Sequence, residues 1–195
     1  MRKKLLAATH NPDKILEITR ILEPLGIEVA ACEDKALLAS IVEDGETFAE
    51  NALIKARAVF NATGVPTLAD DSGLCVDALG GAPGVYSARY MGEDTSYDIK
   101  DNAIIDELNR LGEKERRAQF VCAAALVTKD GEHVFNGVCE GTIGYEMRGE
   151  NGFGYDPIFV VDGRTTAEMT NEEKDAISHR GRALTALAAE IDSLL

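Results

Sequence analysis

The chain has 195 residues, 45% of them apolar, which is enough for a sizeable core. No apolar run approaches the roughly 20 residues of a membrane-spanning helix. The net charge of −14 argues against the broad basic face of a nucleic-acid-binding protein, while leaving room for a small polyanion held by a local group of cations.

The start, Met1-Arg2-Lys3-Lys4-Leu5-Leu6-Ala7-Ala8, is basic and then apolar, but its apolar part is too short for a leader and is broken at once by Thr9-His10-Asn11-Pro12-Asp13. Lys4 to Ala8 therefore reads as a first strand of a cytoplasmic protein. Asn11-Pro12 is an N-cap followed by proline at the first helical position. Ile15, Ile18, Leu22 and Leu25 follow at helical spacing, with Gly26 as the stop. Ile27 to Ala31 reads as a short strand. Ala36 to Gly45 is ambiguous and ends in the acids Glu43-Asp44. Thr47-Phe48-Ala49-Glu50 has the capping-box pattern, which predicts a helix from Phe48 to about Ala62.

Gly64-Val65-Pro66 turns into Thr67-Leu68-Ala69-Asp70-Asp71-Ser72-Gly73, an apolar run that ends on two carboxylates and predicts a strand delivering acid to a loop. A charged helix follows at Tyr97 to Leu111. Ala118 to Thr128 and His133 to Gly144 read as strands joined by a turn at Lys129-Asp130-Gly131. Ile158 to Val161 is a further strand, Thr170-Asn171-Glu172-Glu173 a second capping box, and Ser178 to Leu195 an amphipathic helix with Leu184, Leu187, Ala188, Ile191 and Leu195 on one face. Alternating strands and helices, without repeats or linkers, predict one α/β domain over residues 1–195. Cys32, Cys75, Cys122 and Cys139 are far apart, form no C-x-x-C pair, and read as reduced core thiols.

Adjacent carboxylates at Asp70 and Asp71 repel one another and lose hydration on burial, a cost most simply met by a hard cation such as Mg²⁺. Glu50 is explained as a capping-box partner, whereas Glu43 lies upstream of the cap and is the better metal candidate. Asn51 and Lys55 share a helix face, from which Lys55 can reach a phosphate or simply face solvent. The junction Thr9-His10-Asn11-Pro12-Asp13-Lys14 suits either plain capping or anion binding at a helix N-terminus. Phe153-Gly154-Tyr155-Asp156-Pro157 suits either stacking on a flat ring or a structural turn with its aromatics packed inward. Lys174, His179, Arg180 and Arg182 place cations before and at the start of the last helix, against its dipole, which a bound anion or a nucleobase carbonyl explains and solvent exposure merely tolerates. The phosphate loop, the dinucleotide fingerprint and the H-E-x-x-H and G-x-S-x-G motifs are absent.

Taken in order, Ala8-Thr9-His10-Asn11 with Lys14, Thr47 to Ala52 with Lys55, Ala69 to Leu74, Leu79 to Gly84 with Ser87-Ala88-Arg89, Gly152 to Pro157, and Glu173-Lys174 with Ser178-His179-Arg180 resemble the inosine triphosphate pyrophosphatase family over nearly the whole chain. The resemblance implies an elongated mixed β-sheet with flanking helices, two lobes around a central cleft and a homodimer. It also implies Mg²⁺-dependent cleavage of non-canonical purine nucleoside triphosphates to the monophosphate and pyrophosphate. On it, Asp71 is general base and metal ligand, with Glu43 a second ligand and Asp70 nearby. Thr9, Asn11, Lys14, Lys55, Ser72, Arg89 and Lys174 hold phosphates, the stretch from Thr9 through His10, Pro12 and Asp13 to Lys14 counting as substrate-binding throughout. Phe153, Gly154, Tyr155, Asp156, His179 and Arg180 hold the base, donors on His179 and Arg180 facing the purine 6-oxo group. His10 stands where many members have glycine, and the segment before Gly45 varies in length, so Asp44 stays an alternative to Glu43. A non-catalytic nucleotide sensor is the rival of another class. An aspartate-nucleophile phosphatase is disfavoured, because its acids are spaced D-x-D.

Overall fold

A computed structural model describes residues 3–112 and 114–195; Met1 and Arg2, part of the basic start, lie outside the described residues. The elements in chain order are β1 (Lys3–Ala7), α1 (Pro12–Leu22), β2 (Ile27–Ala31), α2 (Lys35–Ser40), α3 (Phe48–Thr63), β3 (Thr67–Val76), α4 (Tyr97–Leu111), β4 (Arg117–Thr128), β5 (Gly131–Ile143), β6 (Phe159–Val161), β7 (Arg164–Thr165), α5 (Asn171–Ile177) and α6 (His179–Leu194). Among the described residues the strands form one mixed seven-stranded sheet in the order β2-β1-β3-β4-β5-β6-β7. β1 runs parallel to both β2 and β3, while β5, β6 and β7 pair antiparallel. This is the α/β class that the alternation of periods predicts. The chain divides into two compact units, Met1–Ser72 with Cys122–Gly137 and His179–Leu195, and Gly73–Val121 with Val138–Ser178.

In the first unit the period-two geometry of the strands loads both sheet faces. Leu5, Leu68, Cys122, Ala124 and Leu126 pack with Ile18 and Leu22 of α1 and Leu184, Leu187 and Ile191 of α6. Their neighbours Ala69, Ala123, Ala125 and Val127 pack with Leu38 of α2 and Ala52, Ala56 and Val59 of α3. A strand covered on both faces reads as an unbroken apolar run, which is why Ala123 to Val127 carries no polar residue. α1 ends at Leu22, and a 3₁₀ turn over Glu23–Leu25 leads to Gly26, so Leu25 is exposed instead of continuing the helical stripe. α6 keeps Leu184, Leu187 and Ile191 inside, and Leu195 lies beyond its end and is exposed.

The second unit gathers Leu74, Val76, Ile104, Ile105, Leu108, Phe120, Ile143, Ile158 and Phe159 into one core. Cys32, Cys122 and Cys139 are buried and Cys75 is half-buried; no disulfide joins them among the described residues. No helix there is long and apolar enough to cross a membrane.

Candidate active site

The acid doublet lies inside β3 and not at its end, because Leu74-Cys75-Val76 resumes the apolar pattern and carries the strand on to Val76. Pairing of β1 with β3 stops at Ala7 opposite Leu68, so both acids lie past the carboxyl end of β1, where the chain turns into α1. Side-chain alternation then separates them. Asp70 follows Leu68 onto the α1/α6 face and Asp71 follows Ala69 onto the α3 face. Adjacent carboxylates that would repel on one face are each met by cations from a different layer.

Asp70 has no exposed surface. Its Oδ2 accepts from Arg180 Nε and Nη2 at 3.2 and 3.0 Å and is ion-paired at 3.2 Å with Lys14 Nζ, which donates to the Asp70 backbone carbonyl at 3.4 Å. Burial acts to raise its pKa, but Lys14, Arg180 and Lys55 outweigh burial and hold the carboxyl well below the usual carboxylate range. Lys14 is placed by the N-terminus of α1, where Asn11 Oδ1 accepts from the backbone N–H of Asp13 and of Lys14. Thr9, buried, accepts the Asn11 N–H on Oγ1, while His10, Pro12 and Asp13 are exposed. Capping and charge placement therefore occur together in this junction, and Lys14 is not a solvated lysine.

Arg180, at the start of α6, is 1% exposed and also donates to Glu17 and, at 2.9 Å, to Ser72 Oγ. In this structure the anions that offset its position at a helix N-terminus are the protein's own carboxylates, Asp70 and Glu17. His179 beside it is buried.

On the other face Lys55, 9% exposed, lies between Glu43 and Asp71, bonding Glu43 and standing 3.7 Å from Asp71 Oδ1. Glu43 rides on the irregular segment between α2 and α3. The next acid, Asp44, is exposed, and Glu50 closes the predicted capping box with Thr47. Burial raises the pKa of Asp71; Lys55 and Lys14 oppose that shift, and Glu43 and Asp70 reinforce it.

Two buried carboxylate oxygens here, Asp70 Oδ1 and Asp71 Oδ2, have no hydrogen-bond partner among the described residues. An orphaned carboxylate oxygen in a dry site is costly unless a cation or donor meets it. No preformed group of three His, Cys, Asp or Glu able to hold a metal exists among the described residues. Oxygen-only donors, few in number, fit a hard cation such as Mg²⁺, which keeps waters and takes further ligands from phosphates.

In the second unit Asp156 is 2% exposed and saturated: Oδ2 accepts from Lys174 Nζ at 2.5 Å and from the Phe153 N–H at 2.8 Å, and Oδ1 from Thr166 Oγ1 at 2.8 Å. The Lys174 ammonium also stands 4.9 Å from the centroid of the half-buried Phe153 ring. Tyr155 is buried, donates its hydroxyl to Ser87 O at 2.8 Å and meets the Tyr97 ring edge-on. For Tyr155 and Asp156 the structural-turn alternative thus describes what is seen. Gly152, at φ +74°, leaves room for Asp156, since a Cβ there would lie 2.1 Å from its Oδ2. Gly154 borders the Tyr97 ring, and Arg89 is stacked 5.0 Å from the Tyr86 ring centroid.

Two buried acids were not singled out by the sequence reading: Glu17 and Asp101. Glu17 had a usable signal, because it lies three residues after Lys14 and next to Ile18, on the inward side of α1.

The Ham1 family model matches residues 5–190. A dITP/XTP pyrophosphatase of Exiguobacterium sp. is 49% identical over 191 residues, covering 96% of each chain. Among solved structures, a HAM1 protein from Coxiella burnetii superposes with a TM-score of 0.88 at 40% identity, covering 98% of this chain and 99% of that one. A nucleoside-triphosphatase / dITP/XTP pyrophosphatase from Mycobacterium abscessus gives 0.72 at 46% identity, covering 94% and 97%.

Proposed function

The chain belongs to the Ham1 family, and from that premise we propose that it hydrolyses non-canonical purine nucleoside triphosphates (ITP, dITP and XTP) to the monophosphate and pyrophosphate, with Mg²⁺ as cofactor. The observation that carries the reading is the first-unit cluster past the end of β1. There Lys14, Lys55 and Arg180 meet Glu43, Asp70 and Asp71, and two buried carboxylate oxygens are left open. Asp71, Glu43 and Asp70 would hold the metal, which when bound neutralises phosphate charge and acidifies water.

The chain's own residues supply the rest. Asp71, whose proton affinity burial raises, accepts the proton of the attacking water as one phosphoanhydride bond breaks and pyrophosphate departs. Lys14 and Lys55 exchange carboxylate partners for phosphate oxygens, with Thr9, Asn11 and Ser72 as neutral contacts. Arg180 keeps Asp70 in place. Arg89 and Lys174 for phosphate, and Phe153, Gly154, Tyr155, Asp156, His179 and Arg180 for the base, rest on the family resemblance, as do the homodimer and a cytoplasmic location.

The test is incubation with ITP and Mg²⁺, with pyrophosphate and orthophosphate assayed separately. Equimolar pyrophosphate and monophosphate are expected. Orthophosphate without pyrophosphate, or tight binding without turnover, refutes the proposal.

A further inference from the structure

Glu43 sits on a segment, Ile41 to Thr47, that belongs to no helix or strand, and a ligand carboxylate on such a segment needs something to hold it. The structure supplies that from the first turn of α3. The backbone N–H groups of Gly45, Glu46 and Thr47 all donate to side chains of that turn: Gly45 to Asn51 Oδ1 at 2.9 Å, Glu46 and Thr47 to Glu50 Oε2 at 2.7 and 3.0 Å. Asn51 Nδ2 returns a longer bond to Gly45 O at 3.4 Å, so one side-chain amide reads both backbone groups of Gly45.

Asn51 is 1% exposed, and its own N–H is already used by Thr47 O within the helix. Its side chain is therefore not needed to start α3, a task that Thr47 and Glu50 perform through the capping box. Gly45 fits because it has no side chain; a Cβ there would lie 2.7 Å from Glu50 Cβ and 2.8 Å from Asn51 Oδ1. One helical turn along the same face, Lys55 takes the carboxylate of Glu43.

We propose that Asn51 is a positioning residue that fixes the Glu43-bearing segment, and so sets how well the site takes up its divalent cation. This rests on the reading of Glu43 as a metal ligand. Asn51 touches neither the cation nor the substrate; it acts through the backbone two residues beyond Glu43.

The test compares wild type with Asn51→Ala and Gly45→Ala, which release the segment from opposite sides of the same contact. Hydrogen exchange at the amides of residues 45–47 is measured in metal-free protein, and pyrophosphate release from ITP is titrated with Mg²⁺. Both variants should exchange these amides faster. Both should need about tenfold more Mg²⁺ for half-maximal rate, the usual cost of losing an outer-shell contact, with kcat at saturating Mg²⁺ within about threefold of wild type. A general loss of stability would not separate metal requirement from kcat in this way. If Asn51→Ala does not fold, Gly45→Ala carries the comparison. Unchanged exchange at the amide of position 45 in the folded variants overturns the clamp; faster exchange with an unchanged Mg²⁺ midpoint overturns its link to the metal. A wild type that releases no pyrophosphate overturns instead the function on which the proposal rests, and that is seen before any variant is compared.

Discussion

Replacing Asp101 by asparagine should remove a pH dependence that the buried acid imposes on the second unit. Asp101, on α4, has no exposed surface, and neither carboxylate oxygen has a hydrogen-bond partner among the described residues. The adjacent Lys100 does not neutralise it; its ammonium donates to Ala88 O at 2.7 Å and lies over the Tyr97 ring. Burial first, then the charges of Asp98 and Asp156, pushes its pKa from 3.8 up to about 8.

The folded pKa lies above the unfolded one, so the folded state keeps a proton that the unfolded chain releases. This contribution is complete below about pH 4, erodes as the pH rises, and levels off once the folded pKa is passed. The slope is about 1.4 kcal/mol per pH unit, so pH 5 to pH 8 would cost about 4 kcal/mol at most. Relaxation and water entry around the ionised acid reduce this, and about 1–2 kcal/mol is expected. Asp101→Asn keeps the shape and cannot ionise. A buried amide brings its own penalty, but one independent of pH. Urea unfolding of both proteins from pH 5 to pH 9, taken as a difference, cancels every other titrating group. The difference should move toward the variant with rising pH. Parallel curves across the range would mean that Asp101 is charged and satisfied throughout, and the reasoning would fail.

Asp71→Asn should lower pyrophosphate release by at least about 10²-fold through loss of the proton acceptor, while circular dichroism stays unchanged; near-normal turnover removes Asp71 from its role. Glu17→Gln leaves the buried Arg180 short of a counter-charge, and chemical denaturation should show a loss of about 3 kcal/mol. A loss below about 0.5 kcal/mol would show that Asp70 and Ser72 suffice. Gly152→Ala drives a Cβ into Asp156 at a positive φ, so thermal unfolding should show destabilisation of about 2 kcal/mol or more; an unchanged midpoint would contradict the packing described.

What could be read from the sequence is what depends on near neighbours. The Thr47–Glu50 capping box, the Asn11 cap and the span Tyr97–Leu111 needed only residues within a few positions, and they match. The short α2 escaped because six residues do not establish a helical period. The ion pair of Arg180 with Glu17 escaped for the opposite reason: it joins positions 163 apart, and nothing local marks either side chain as the other's partner. Tyr155 shows the same limit within a motif. Composition left stacking and inward packing equally open, and the choice depended on Ser87, 68 positions away, offering its carbonyl to the hydroxyl.

The doublet itself shows how a fold turns a liability into a site. Two carboxylates in sequence are unfavourable side by side, but a strand cannot place consecutive side chains on one face. β3 therefore hands Asp70 to Lys14 and Arg180 and Asp71 to Lys55, and each face gains one more acid, Glu17 from α1 and Glu43 from the segment before α3. In this group the carboxylates outnumber the cations, and each cation already has an acid partner. Such a cluster repels a polyphosphate as it stands. A divalent cation held by this group of carboxylates, Asp70 and Asp71 among them, would offset that repulsion and leave Lys14 and Lys55 available to phosphate. The charge balance of the chain's own residues thus argues for a metal requirement independently of any family likeness. It also predicts that chelation lowers nucleotide affinity as well as turnover, which equilibrium binding of ITP with and without EDTA would check. Equal affinity in both would show that the lysines are free without the cation, and the argument from charge would fall.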